Sequence, residues 1–432
     1  MRTACTCIFL CLIIKINYAQ WTPVETGISD DINIQDIDII DENTAWAVTG
    51  TAYTTEEETL TFLRTTDGNT WITGTINTPD AAGNTASNIS ALSANDAWVA
   101  MFNYAGGGGI FHTSDGGANW EHQGTAIFAG PAGFPNVVHM FDLNNGFAMG
   151  DPNDGYFEIY TTINGGALWT RVADENIPDN GDEFGIIDCY DVAGETILFG
   201  TTNGNIYKSQ DMGYTWTLHT SGLSYINDIA LSDENNGIAL GTDEISQTID
   251  GGETWNGISY DGDPRDFTIS NVPGISAFVT GEAPFATYYP NTGSSYSLDG
   301  GNTWIEIDDE SLITTVDFLN PTTGWAGGFN EGDESAGLYK WEGDLSVAIP
   351  EINVEAQQII IYPNPATNEI QIQINSSQQN TSLRILNSLG DIVLEVNKFN
   401  DQNLDISNLS PGIYFIDLLQ GENALRNKFV KE

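Results

Sequence analysis

Basic residues are scarce in this sequence. Among 432 residues, 12 Lys and Arg face 60 Asp and Glu, a formal charge of −48. Between Gln20 and Ile352 only Arg64, Arg171, Lys208, Arg265 and Lys340 are basic, against 51 acids, whereas residues 353–432 carry five basic and nine acidic residues. So acidic a chain repels nucleic acid and anionic membranes, which are bound by neutralising phosphates with Lys and Arg, and no nucleic acid is expected as a partner. Cysteine is almost as rare. Cys5, Cys7 and Cys11 fall in the first 19 residues and leave Cys189 alone, so no disulfide framework holds the remainder. Cys189, in the run IIDCYDV, reads as a small core hydrophobe. Long apolar runs are missing too. The run Ile8 to Ile14 follows Arg2, is stopped by Lys15 and leads to Tyr18-Ala19-Gln20. That is the layout of a secretory signal at residues 1–19, with cleavage expected after Ala19. It is far short of the ~20 apolar residues that cross a bilayer, and no transmembrane segment is expected in the mature chain.

Glycine and tryptophan, in contrast, are plentiful and periodic. Six segments align on their tryptophans: TTDGNTW (Asp67, Trp71), TSDGGANW (Asp115, Trp120), TINGGALW (Asn164, Trp169), SQDMGYTW (Asp211, Trp216), TIDGGETW (Asp250, Trp255) and SLDGGNTW (Asp299, Trp304). Their spacings of 49, 49, 47, 39 and 49 residues match one four-stranded propeller blade each. In SLDGGNTW the Ser297 hydroxyl and Asp299 carboxylate can accept backbone N–H bonds of the turn, two glycines permit positive φ, and Trp304 packs on the hairpin. The segment is a folding device and not a catalytic one. The first box is one residue short and the third has Asn164 for the acid and Leu168 for Thr, so both turns are expected to be distorted. After Trp304 come two further strands and a third around Tyr339, but no seventh box. Trp21 opens WTPVETG, which is similar to WTLHTSG from Trp216. The expectation is therefore an all-β, seven-bladed propeller over residues 20–345, closed by Trp21 to Gly27 beside the strand near Tyr339.

These boxes resemble the Asp-box, or BNR, propeller superfamily, which includes sialidases, sortilin ectodomains and photosystem assembly-factor propellers. A sialidase needs three arginines converging on a carboxylate, and the propeller holds three in total. Arg64, three residues before Asp67, reads as an outer-strand surface residue, and the Arg-Ile-Pro opening is absent, so a sialidase is not expected.

A linker at residues 346–358 leads to a second pattern over 359–432: IIIYPNPATNEIQIQI, SLRILNSLGDIVLEV, LDISNLSPGIYFIDLLQ and NKFVKE. Alternating apolar residues between turns argue a small antiparallel β-sandwich. Tyr362 to Pro365 (with Pro363 and Asn364), Gly390, and Leu409 to Tyr414 (with Pro411 and Gly412) resemble the type A sorting domain of the type IX secretion system. The resemblance implies that the secretion machinery is a partner. It also implies that the tail is removed at the outer membrane, and that the passenger passes through the periplasm to be released or attached at the cell surface.

Within the propeller, connections alternate between faces, so the first-to-second turns and the boxes share one face while the variable connections share the other. Function on a rigid scaffold is usually carried by its variable loops. The expected ligand site therefore draws on Asp151, Asp154, Arg265, Tyr288 and Tyr289, with His139 of the innermost strand VVHMFDL below it, and the ligand is a glycan or a protein. His112, His122 and His219 fall on outer strands, and no Ser/His/Asp arrangement surrounds His139. No cofactor is expected. Asp151 and Asp154, with the acidic loops at 174–183 and 330–335, supply oxygens suited to calcium, but none has EF-hand spacing, and solvated loops are the plainer reading. A non-catalytic binding propeller is thus expected. The alternative is a polysaccharide hydrolase or lyase working from the variable-loop face.

Overall fold

The structure, a computed structural model, describes residues 20–28, 32–51, 59–128, 133–179, 181–283, 291–329, 337–347, 359–374, 381–387, 392–399, 403–420 and 423–432. Residues 1–19, Tyr288, Tyr289 and Gly390 lie outside them. The chain divides into two compact units, Met1–Ala348 and Ile349–Glu432.

The first unit holds seven antiparallel four-stranded sheets. Their innermost strands are Ile32–Ile39, Thr85–Ala91, Pro135–Met140, Gly185–Ala193, Asp228–Leu231, Thr268–Val272 and Thr315–Asn320, blades 1 to 7 in order. Each touches the next, and the seventh touches the first, so the sheets close a ring of propeller type. Blade 7 is composite: Trp21–Pro23 pairs antiparallel with Leu338–Trp341, in the register Trp21↔Trp341, Thr22↔Lys340 and Pro23↔Tyr339. An outer edge that would otherwise stay open is thereby paired with the start of the chain.

Packing explains the tryptophan spacing. Each junction between neighbouring blades has its own apolar cluster, and the box tryptophan of one blade buries itself against the preceding blade. Trp120 of blade 2 meets Trp46 and Phe62 of blade 1, and Trp71 of blade 1 meets Trp325 of blade 7, edge to face at 5.0 Å. Trp21 takes the same role at the blade 6–7 junction. The tryptophans thus fasten blades together as well as finishing hairpins, because the outermost strand is short and its inward face can only be covered by the neighbour. Burying each ring contributes about 2–3 kcal/mol.

The box turns repeat closely. The Gly301 N–H donates to Ser297 Oγ at 2.8 Å and the Thr303 N–H to Asp299 Oδ1 at 2.8 Å. The third box is not distorted: the Asn164 carbonyl oxygen accepts the Leu168 N–H at 2.9 Å, since an amide oxygen serves this bond as a carboxylate does. The first box alone is tighter, with Thr70 N–H bonding Asp67 Oδ1 at 2.7 Å one residue sooner. Arg64, expected on the surface, is half-buried over the Trp46 ring at 5.2 Å. Cys189 is buried in the blade 4–5 cluster, and burial pushes its thiol up.

The second unit packs a three-stranded sheet (Ile359–Tyr362, Glu369–Ile374, Asn403–Asp405) and a four-stranded sheet (Thr381–Leu386, Ile392–Phe399, Gly412–Gln420, Asn423–Lys431) about one core. Ile370, Leu383, Ile385, Ile416 and Phe429 are fully buried there. The turn at Pro363-Asn364-Pro365 is tied to the last strand, as Asn364 Oδ1 accepts the Val430 N–H at 2.9 Å.

Candidate binding site in the central channel

An innermost strand has one edge with no sheet partner, and its inward N–H groups need acceptors. At five of the seven junctions the acceptor is a side chain of the preceding blade's innermost strand. Asp36 Oδ2 accepts Ile89 N–H at 2.7 Å, and Asp38 Oδ2 accepts Ala91 N–H at 2.6 Å. Asn88 Oδ1 accepts Val138 N–H at 2.6 Å. Asp191 Oδ2 accepts Leu231 N–H at 2.6 Å, Asp228 Oδ2 accepts Ile269 N–H at 2.9 Å and Asp317 Oδ2 accepts Ile39 N–H at 3.1 Å. These bonds stitch the ring around its axis.

Blade 4 departs from the pattern. Its innermost strand loses register between Gly185 and Tyr190, and Asp188 takes a left-handed φ of 60°. The bulge pushes Ile186, Ile187 and Asp188 into the channel and brings this strand into contact with blade 2. Asn88 Nδ2 there lies 3.2 Å from Asp36 Oδ2 and 3.3 Å from Asp188 Oδ1, clamping two carboxyls from different sides of the ring. The bulge divides the channel. An upper chamber of about 350 Å³ opens on the variable-loop face, and a lower one of about 220 Å³ holds Asp36, Asp38, His139, Asp191 and Asp317. Asp188 and Asp228 line both. Bulges of this sort recur beside functional sites because they re-aim one side chain.

Electrostatics in the channel follow from burial. Desolvation pushes Asp36, Asp191 and Asp228 up to about 7 and Asp317 to about 6, against the opposing effect of the stitching N–H groups. Asp188 is raised by burial and then by the charges of Asp36 and Asp228; Asp38 is raised by burial despite the Ala91 bond. His139, whose Nδ1 is 3.3 Å from the Tyr190 hydroxyl, is pushed down to about 4 by burial and stays neutral. The chambers give several of these side chains partial contact with water, which moderates the burial penalty without reversing it.

The expected site residues that are described, His139, Asp151, Asp154 and Arg265, do not gather in one place. His139 lines the lower chamber. Asp151 lies off the channel, where its Oδ1 accepts Asn136 Nδ2 at 2.9 Å and Gly185 N–H at 3.1 Å, and burial raises it to about 6. Asp154, with φ 54°, is exposed at a hairpin tip with Gly155. Arg265 is 7% exposed and lies 3.3 Å from Asp263 and 3.2 Å from Glu306, so it fastens a loop to an outer strand. Among the described residues no group of three His, Cys, Asp or Glu is arranged to hold a metal ion. No described helix is long and apolar enough to cross a membrane.

Sequence reasoning missed the axial carboxylates. Their signal was present, an Asp on the innermost strand of four blades in QDIDI, DCYDV, NDIAL and TVDFL. On a single strand, however, an acid in alternation with apolar residues looks the same whether it faces solvent or the axis of a ring.

Residues 360–432 match the family described as "Secretion system C-terminal sorting domain", so the chain carries such a domain at this end. No curated protein matches the chain. Among solved structures, YCF48 bound to a D1 peptide is similar over 77% of this chain and 98% of its own, with 16% identity and a TM-score of 0.53. YCF48 from Cyanidioschyzon merolae is similar over 74% and 98%, at 17% identity and a TM-score of 0.54. PorZ, a surface component of the type-IX secretion system of Porphyromonas gingivalis, is similar over 94% of this chain and 60% of its own, at 13% identity and a TM-score of 0.50. At such identities the likeness is one of fold.

Proposed function

We propose that this chain is an exported Asp-box propeller, delivered to the cell surface by type IX secretion through residues 359–432, which binds a ligand at its variable-loop face without catalysing a reaction. The observation that carries the reading is the sorting-domain match at 360–432. The six boxes, each with its acid or amide oxygen capping a turn, support the Asp-box assignment. In this reading residues 1–19 leave at the inner membrane and the tail from about residue 353 at the outer membrane. The upper chamber, on the face with the most varied connections, is where the ligand enters. Deleting residues 359–432 should strand the propeller in the periplasm of a strain that has this machinery. If the truncated protein still reached the medium or the surface, the delivery reading would fail.

A second reading, a polysaccharide hydrolase or lyase, has one observation in its favour. Asp188 and Asp228 are carboxyls with raised affinity for protons at the base of an open chamber, a property of general acids. A glycan binding and hydrolysis screen on the full chain, with and without calcium, separates the two: bound glycan released intact supports binding, and shortened glycan supports the enzyme.

A further inference from the structure

The carboxyls at the base of the upper chamber have no basic partner among the described residues of the propeller. No Lys, Arg or His lines the chamber. The five basic residues of the propeller are engaged elsewhere: Arg171 with Asp174, Lys208 with Glu253, Arg265 with Asp263 and Glu306, Arg64 over Trp46, and Lys340 over Trp325. His139 in the chamber below is neutral.

The walls carry a second sign of an incomplete site. Asn33, 7% exposed, lines the upper chamber, and its Oδ1 has no hydrogen-bond partner, while its Nδ2 donates to Ile34 O at 3.4 Å. A buried acceptor without a donor costs free energy unless a ligand brings the donor. Beside it, a Cβ on Gly50 would fall 3.0 Å from Asn33 Oδ1 and 2.6 Å from Gln35 Oε1, so a side chain there would have to displace both amide oxygens. Above them the rim is aromatic, with Phe102, Phe267 and Phe329, and with Tyr104 and Tyr225 exposed to 45% and 39%.

An acceptor short of a donor at the wall, carboxyls at the base that would ionise beside a cation and aromatic faces at the rim describe a long aliphatic stem that ends in a cation. We propose that the upper chamber receives a basic side chain, the ammonium of Lys or guanidinium of Arg, from an extended segment of a partner polypeptide. Its N–H groups bond Asn33 Oδ1 and the carboxyls of Asp188 and Asp228, and its stem lies along Tyr104 and Phe267. The inference deepens the binding reading of the variable-loop face and rests on it. A free polyamine shares the cation chemistry, but it offers no flanking residues to the rim.

The test is calorimetry of the full-length chain at low salt with capped pentapeptides, two glycines on each side of Lys, Arg, norleucine or Glu, and with spermidine. The Lys and Arg peptides should bind, the norleucine peptide at least about tenfold more weakly, and the Glu peptide not at all. Asp188→Asn combined with Asp228→Asn should weaken the Lys peptide by at least about tenfold. Should that variant not fold, Tyr104→Ala, at an exposed rim position, should still weaken it several-fold. Equal binding of the Lys and norleucine peptides, or no effect of Tyr104→Ala, overturns the proposal. Spermidine bound as tightly as the Lys peptide overturns the polypeptide as the occupant. A neutral glycan that binds and is lost in Tyr104→Ala, with no peptide bound, overturns the basic ligand while the variable-face reading stands.

Discussion

At the rim of the propeller, Asp67 accepts the N–H groups of Thr70 and Asn69, and Asp250 accepts the hydroxyl and N–H of Thr254; these bonds hold both carboxyls down at about 2. At the axis, Asp36 accepts the N–H groups of Ile89 and Ile37, and Asp228 those of Ile269 and Ile229, yet both are pushed up to about 7. The acceptor chemistry is the same and the number of bonds is similar. What differs is water: the rim carboxyls are exposed, whereas Asp36 is buried and Asp228 half-buried in the channel. Burial therefore outweighs hydrogen bonding in setting where the proton sits. The rim uses its acids to finish turns without electrostatic cost, whereas the axis holds carboxyls that keep their protons toward neutral pH and would give them up beside a cation.

The largest expected effect tests the sign of that difference. A carboxyl whose folded value is raised contributes stability that is complete below its ordinary value near 4 and is lost as pH rises through about 7. Urea unfolding of the full chain should show the propeller more stable at pH 5 than at pH 8 by at least about 2 kcal/mol. Equal stability at the two values would remove the distinction between axis and rim. The rim acids act in the opposite sense, and their contribution fades only as pH falls toward 2.

Next in size is the stitch itself. Asp36→Asn keeps an oxygen acceptor for Ile89 and removes the charge, whereas Asp36→Ala leaves buried N–H groups without a partner. The Ala variant should be less stable than the Asn variant by about 2 kcal/mol in the same urea assay. At the rim, Asp211→Ala removes the acceptor for Thr215 and should lower stability by about 1 kcal/mol, with no added dependence on pH between 5 and 8. The smallest effect is expected for Asn164→Asp, which restores the acid to a turn that already has its bond, and thermal unfolding should shift by less than about 0.5 kcal/mol.

The ring was readable from the chain because its punctuation is local. Asp-Gly-Gly turns and the tryptophan that follows recur at blade spacing, and the unmatched Trp21 at one end answers the missing strand at the other. The sandwich was readable for the same reason, from alternation between Ile359 and Lys431. The chamber was not. Its walls come from innermost strands of blades far apart in sequence, its dividing bulge at Ile186 to Asp188 leaves no composition signal, and the Asp36–Asn88–Asp188 clamp joins residues up to 152 positions apart. Arg265 shows the same limit from the other side. A lone arginine on a variable loop suggests a ligand contact, but its partners Asp263 and Glu306 are brought to it only by folding. Tyr288 and Tyr289 lie outside the described residues.

Carbon-detected NMR titration of the aspartate carboxyls in the full-length chain, with Asp36, Asp191, Asp228 and Asp317 assigned by individual Asn substitutions, bears most directly on the axial account. Two populations should separate: rim carboxyls titrating at about 2, and axial carboxyls titrating at about 6 to 7. A single population near the ordinary aspartate value of about 4 would contradict it, since burial at the axis would then not hold the proton on these carboxyls.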